Sequence, residues 1–204
     1  QINFTDPTPD NNSNLNYNSV YVNYTTSDTN SISSFINYDN SLVGWWRMDD
    51  LNASNDPTDY KGINNGSAKS GAVQTDAGKL GKGFNFDGVN DYIDVSSTDF
   101  FFNNTNSFSM TLWFKDVGTS SASPGIMFQQ SDCNYFQYGF SLSVSLSQVY
   151  FGVGKTCTGS NSATSSYSKN QWQFVTGVFN TTSIKIYKNG ALINTVDYTY
   201  GDLP

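Results

Sequence analysis

The chain has 204 residues, of which 16% are aromatic and only 13% charged, and its formal net charge is −7. That length buries a substantial core without metals or many disulfides. The acidic balance argues against nucleic acid, whose phosphates need a basic patch, and fits anionic membranes poorly. All 17 acids are Asp and there is no His, which removes the commonest general base, the commonest metal ligand and the usual glycosidase acid.

Residues 1–18 are polar, with Pro7 and Pro9, and read as a linker or extended leading segment. Residues 19–26 and 31–38 alternate apolar and polar side chains and predict two short strands. "SLVGWWRM", 41–48, predicts a third strand, the first with heavy apolar content. The polar stretch 49–71 carries turn residues throughout, and a loop that long is functional or held by something.

Strands then recur near 82–86, 91–95, 107–115, 124–130, 135–146, 148–153, 171–179, 182–188 and 191–196. "SFSMTLWFK" places Phe108, Met110, Leu112 and Phe114 on one face. "IKIYKNGALI" is a hairpin with Asn189–Gly190 at its tip. Trp46, Trp113 and Trp172 are expected core anchors, and Phe84 and Phe86 are expected to pack inward on two strands joined by a turn over 87–91. No segment has a helical period and no repeat is visible. Many short strands with turn signals mean a sandwich or barrel. No apolar run approaches the roughly 20 residues of a membrane-spanning helix, so no membrane insertion is expected within the chain.

Cys133 and Cys157 are the two cysteines. They are either two buried thiols or one disulfide, and the extracellular type of composition favours the disulfide, worth roughly 3 kcal/mol in the loop-entropy model. Asn-X-Ser/Thr sequons occur at Asn3, Asn11, Asn23, Asn52, Asn65, Asn103 and Asn180. So many Asn, Ser and Thr give about six by chance, so the motif permits glycosylation without arguing for it.

"SLVGWWRMDD", "YKGINNGSA", "GKLGKGFNFDGVNDYIDV", "SFSMTLWFK", "QWQFVTGVFN" and "IKIYKNGALI" follow one another in the order of a known family. Over about residues 41–196 the chain resembles a laminin-G-like domain of the concanavalin A-like lectin/glucanase superfamily. The resemblance implies an all-β fold, a jelly-roll sandwich of two antiparallel sheets, with residues 41–204 as the domain. Residues 1–40 resemble partial immunoglobulin-like opening strands of a microbial, archaeal-type surface protein. The chain stops at "YTYGDLP", before the closing strands that family members carry, so a fragment, or a strand supplied by another chain, is expected.

The resemblance implies a non-catalytic extracellular or cell-surface module for adhesion or for binding a glycan or surface protein. The glucanases of the superfamily use paired Glu, and this chain has none. The alternative is a structural subunit of a surface filament or layer, assembled with identical neighbouring chains by strand donation. Many relatives hold calcium. If loop 49–65 and turn 87–91 meet at one edge, Asp49, Asp59, Asp87, Asn90 and Asp91 supply hard oxygen ligands for Ca2+. An EF-hand starting at Asp87 fails, because its Gly is second rather than sixth and Thr98 stands where the bidentate acid belongs.

Overall fold

The computed structural model describes residues 2–10, 13–14, 16, 21–27, 40–95, 107–118, 125–128, 139–145, 147–156 and 159–199. Every regular element among them is a β-strand. The chain divides into two compact units, Gln1–Asn65 with Val73–Asn85, and Gly66–Ala72 with Phe86–Pro204.

In the first unit, β1 (Ile2–Thr5) pairs antiparallel with β2 (Asn23–Thr26), and β4 (Val73–Thr75) with β5 (Gly83–Asn85). The expected strand over 19–26 is present as β2; the one over 31–38 lies outside the described residues. Residues 41–48 form no strand, contrary to expectation. Their polar backbone groups are taken by side chains of the following loop. The Asn64 amide donates to the Val43 carbonyl (3.0 Å), the Lys61 ammonium to the Leu42 carbonyl (2.6 Å), and the Trp45 N–H to Asp59 Oδ1 (2.8 Å). Met48 closes the stretch at a left-handed φ of 67°.

The second unit holds β3 (Ser67–Lys69), paired with β6 (Tyr92–Asp94), and two four-stranded antiparallel sheets. One sheet runs in the order β11 (Gly159–Ser166), β10 (Gln148–Thr156), β9 (Gly139–Ser145), β8 (Gly125–Phe128). The other runs β14 (Ala191–Asp197), β13 (Ser183–Lys188), β12 (Gln173–Phe179), β7 (Phe108–Phe114). Alternation along the strands builds the core. Leu142, Val144, Val149, Phe151, Val153 and Ala163 of the first sheet cluster with Met110, Val175, Phe179, Ile184 and Ile186 of the second. Phe108 joins the two, its ring 5.2 Å from Phe140, 6.1 Å from Phe151 and 5.6 Å from Phe179. Gly177 of β12 lies against Phe151, and a Cβ there would lie 2.4 Å from its ring carbons. This is the expected two-sheet antiparallel sandwich.

The Asn189–Gly190 hairpin is present between β13 and β14, with φ of 51° and 83° at the tip, the signs a type I′ turn requires. β5 and β6 are joined through 86–91, as expected, and pair with β4 and β3. Two expectations are corrected. Phe86 is 46% exposed rather than inward. Trp113 is no core anchor: its neighbours Leu112 and Phe114 pack on the core, so the period of two turns Trp113 to the opposite face.

Candidate functional site

The long polar loop is organised by one carboxylate. Asp59 is 3% exposed. Its Oδ1 accepts from the Trp45 (2.8 Å) and Lys61 (3.2 Å) amides and its Oδ2 from the Asn64 amide (3.2 Å). The Asp59 N–H donates to Asn65 Oδ1 (2.9 Å). Buried Asn64 accepts from Trp46 Nε1 at its carbonyl (2.8 Å). The rings of Trp45 and Tyr60 lie 5.2 Å apart, and the Arg47 guanidinium sits over both while pairing with Asp50. A smaller loop is closed by Asn52, whose Oδ1 accepts from Ser54 (2.8 Å) and Asp56 (2.9 Å) amides and whose Nδ2 donates to Asp56 Oδ2 (3.2 Å).

The other calcium candidates also have local partners. Asp49 Oδ1 accepts from the Lys82 amide (2.8 Å) and lies against Gly81, whose φ of 70° suits glycine. Asp87 Oδ1 accepts from the Val89 (2.8 Å) and Asn90 (3.4 Å) amides, making an Asx turn through Gly88. Asp91 Oδ2 accepts from the Asp87 amide (2.8 Å), while its Oδ1 is buried without a hydrogen bond beside Gly71. Asp49 and Asp59 belong to the first unit, and Asp87, Asn90 and Asp91 to the second. Among the described residues, no three acidic, histidine or cysteine side chains gather to hold a metal ion. Asp59 fits calcium poorly, because its oxygens already face three N–H donors. Cys133, Cys157, Asn11 and Asn103 lie outside the described residues.

A feature that the sequence reading missed is the outer face of the β7–β12–β13–β14 sheet. Trp113 stands opposite Phe174 with ring centroids 5.0 Å apart. The Thr111 and Thr176 hydroxyls, opposite one another, are 3.0 Å apart. Thr176 faces Tyr187, and Tyr187 faces Leu192. Beyond Trp113 the Lys115 ammonium sits 5.5 Å from the Trp172 ring centroid. Trp113 and Leu192 are 37% and 52% exposed. The four strands contain one acid, Asp197, opposite Ser183 at the far end. The signal was available in sequence, since inward Phe108, Met110, Leu112 and Phe114 oblige Trp113 to face outward.

At the same end, Asp116 follows β7 and clamps the segment that leads into β12. Its Oδ2 accepts from the Tyr167 hydroxyl (2.6 Å) and lies 3.7 Å from the Lys169 ammonium; its Oδ1 accepts from the Gly118 amide (2.8 Å). Burial works to raise the Asp116 pKa, but the Tyr167, Gly118 and Lys169 donors outweigh it and hold the carboxyl below its ordinary value. Burial and the Asp116 carboxylate both push the Tyr167 hydroxyl pKa up. A carboxylate with a lowered folded pKa stabilises fully above its unfolded value, about 3.9, and that stability fades as pH falls through the folded value. Asp116→Asn is therefore expected to cost about 1–3 kcal/mol at pH 7. Urea unfolding at pH 7, 4 and 3 should show the gap between variant and wild type shrinking below about pH 4.

An antiparallel two-sheet sandwich with a strand-built outer face defines a lectin-like jelly-roll protein. The chain belongs to the laminin-G-like family of the concanavalin A-like lectin/glucanase superfamily, whose profile matches residues 87–204. No curated protein matches the sequence. Among solved structures, the receptor-binding domain of botulinum neurotoxin D is similar with a TM-score of 0.55 at 19% identity, over 72% of this chain and 39% of that one. The binding domain of botulinum neurotoxin DC in complex with SialylT gives 0.55 at 19%, over 73% and 38%. The serotype C1 binding domain gives 0.56 at 20%, over 74% and 38%. The likeness is one of fold, and the chain spans under two-fifths of the length of these structures.

Proposed function

We propose that the chain is a non-catalytic, extracellular or cell-surface binding module whose ligand is a glycan, held on the outer face of the β7–β12–β13–β14 sheet. The observation that carries this reading is the aromatic end of that face, formed by Trp113, Phe174, Trp172 and Tyr187. Aromatic faces bind the C–H faces of sugar rings, while neighbouring hydroxyls and ammonium groups bond their polar edges. Thr111, Thr176 and Lys115 supply such groups here. The lectin-like fold supports a binding role, as does a similar structure, a botulinum neurotoxin binding domain in complex with SialylT. A neighbouring structure of a binding domain with rat synaptotagmin II keeps a protein ligand in view. A chain without Glu or His lacks the usual means of glycoside hydrolysis.

The test is a glycan array followed by calorimetry on the best glycan. Trp113→Ala is expected to weaken binding at least about 10-fold, since exposed aromatic anchors carry much of such affinity. Undiminished binding by a folded Trp113→Ala variant removes this face as the site. Calcium enters the proposal only at the turn holding Asp87, Asn90 and Asp91, where Asp91 Oδ1 is the buried oxygen without a hydrogen bond. Running the calorimetry with and without millimolar calcium decides it: unchanged affinity and unchanged melting temperature remove the ion.

A second reading, strand exchange between identical chains, is favoured by one observation. Among the described residues β1 and β2 form a two-stranded sheet, and such a ribbon is marginal alone. Filaments or swapped oligomers on size exclusion support that reading, and a monomer of full stability opposes it.

A further inference from the structure

The five described sequon asparagines use their side-chain amides in different ways, and only the amide nitrogen, Nδ2, can carry a glycan. Asn23 Nδ2 donates to the Asp6 carbonyl (3.0 Å), and Asn52 Nδ2 to Asp56 Oδ2 (3.2 Å). Both nitrogens thus face protein. Asn3 sits within β1, opposite Thr25. Asn180 is arranged the other way round. Its Oδ1 accepts from the Ser183 amide (2.7 Å) and hydroxyl (2.9 Å), and from the Thr182 amide (3.3 Å) and hydroxyl (3.2 Å).

Backbone N–H groups can only donate, so they fix which end of the Asn180 amide faces the turn. The four donors hold the oxygen inward, and Nδ2 points away from them and bonds nothing among the described residues. The residue is exposed, in the β12–β13 turn, with Thr181 at a φ of 70° holding the chain out from the sheet. The sequon's own hydroxyl, on Thr182, already bonds the amide to be modified. Asn65 shares part of this: its Oδ1 accepts from Asp59 and its Nδ2 is unbonded, but the next residue, Gly66, is buried.

We infer that Asn180 is an N-glycan acceptor of this chain, used ahead of Asn23 and Asn52. In the transfer, Asn180 Nδ2 forms a bond to the anomeric carbon of a lipid-diphosphate-linked oligosaccharide. The carbon–oxygen bond to the lipid diphosphate breaks, the diphosphate leaves with the bonding pair, and Nδ2 loses one proton. The retained N–H and the untouched Oδ1 leave all four turn hydrogen bonds in place, so the modified turn keeps its fold. Asn180 directly follows β12, whereas Phe174 lies near the start of that strand, about 20 Å away at ~3.4 Å per residue. A glycan there leaves the aromatic end uncovered, and the inference stands whether or not that end binds a ligand.

The experiment is secretion of the full chain from an N-glycosylating eukaryotic host. Site occupancy is then read by enzymatic deglycosylation in heavy-oxygen water and peptide mass mapping. The expected result is an occupied Asn180 with Asn23 and Asn52 bare. Asn180→Gln and Thr182→Ala should each lose the mass of one glycan, and Thr182→Ser should retain it. Wild-type protein alone suffices to overturn the inference. A folded, secreted chain with a bare Asn180, or with glycan at Asn23 or Asn52 in preference to it, does so.

Discussion

Replacing Phe151 by Ala is expected to cost about 3–5 kcal/mol, enough to unfold a marginal domain near physiological temperature. Phe151 is fully buried at the centre of β10, between Leu142 of β9 and Ala163 of β11, and its ring is edge-on to Phe108 of the facing sheet. Removing the ring leaves a cavity that two hydrogen-bonded sheets can close only in part. The same ring explains Gly177, where an added Cβ would lie 2.4 Å from Phe151 ring carbons. Gly177→Val should therefore also destabilise, by ~1–3 kcal/mol or more, through overpacking rather than a cavity. The two defects are complementary in sign. The double variant Phe151→Ala with Gly177→Val should lose clearly less than the sum of the two. Urea unfolding of the four proteins measures this; additive losses would show that the two residues do not share the space.

Apolar alternation made the sandwich legible, because the strands that fill the core carry it themselves. β7, β9, β12 and β13 each read as strands for this reason. β11 did not: its "GSNSATSS" holds no large apolar residue, and Ala163 and Ser165 are the buried positions among its described side chains. Its strand state comes from pairing with β10 along its whole length, a partner-imposed effect that local propensity does not contain. The segment 41–48 failed in the opposite direction. Its apolar content looked like a strand, but its backbone partners are the side chains of Asp59, Lys61 and Asn64, more than a dozen residues away.

The site was less legible than the fold. Counting Asp and Asn in turns pointed toward calcium, yet an Asp in a turn serves the backbone first, as the Asp87 amide contacts illustrate. The tryptophans were read by size rather than by register. Trp113 is large and apolar, but period two outranks hydrophobicity once its neighbours are assigned inward. Its partner across the sheet, Phe174, follows from the antiparallel register and from nothing in the local sequence.

Asp59→Ala is expected to cost roughly 3 kcal/mol or more within the first unit, because it removes the acceptor of three backbone N–H groups at a 3% exposed position. Trp45, Lys61 and Asn64 would lose their shared anchor together, so the loss should be cooperative over 42–65. Asp59→Asn should fall between the two, since it keeps one acceptor oxygen but turns an N–H donor toward a second. Hydrogen exchange separates this from a global effect: protection should fall at the Trp45, Lys61 and Asn64 amides while the β10 and β12 amides stay protected. The same variants address the ion. If Asp59 acts as a hydrogen-bond acceptor, the penalty is equal in chelator and in millimolar calcium. If it acts as a ligand, the penalty grows with calcium, because only the wild type gains binding energy from the ion. The three amide bonds argue for equality, since a carboxylate oriented by N–H donors sits in a loop where, among the described residues, no three acidic, histidine or cysteine side chains gather to complete a metal site.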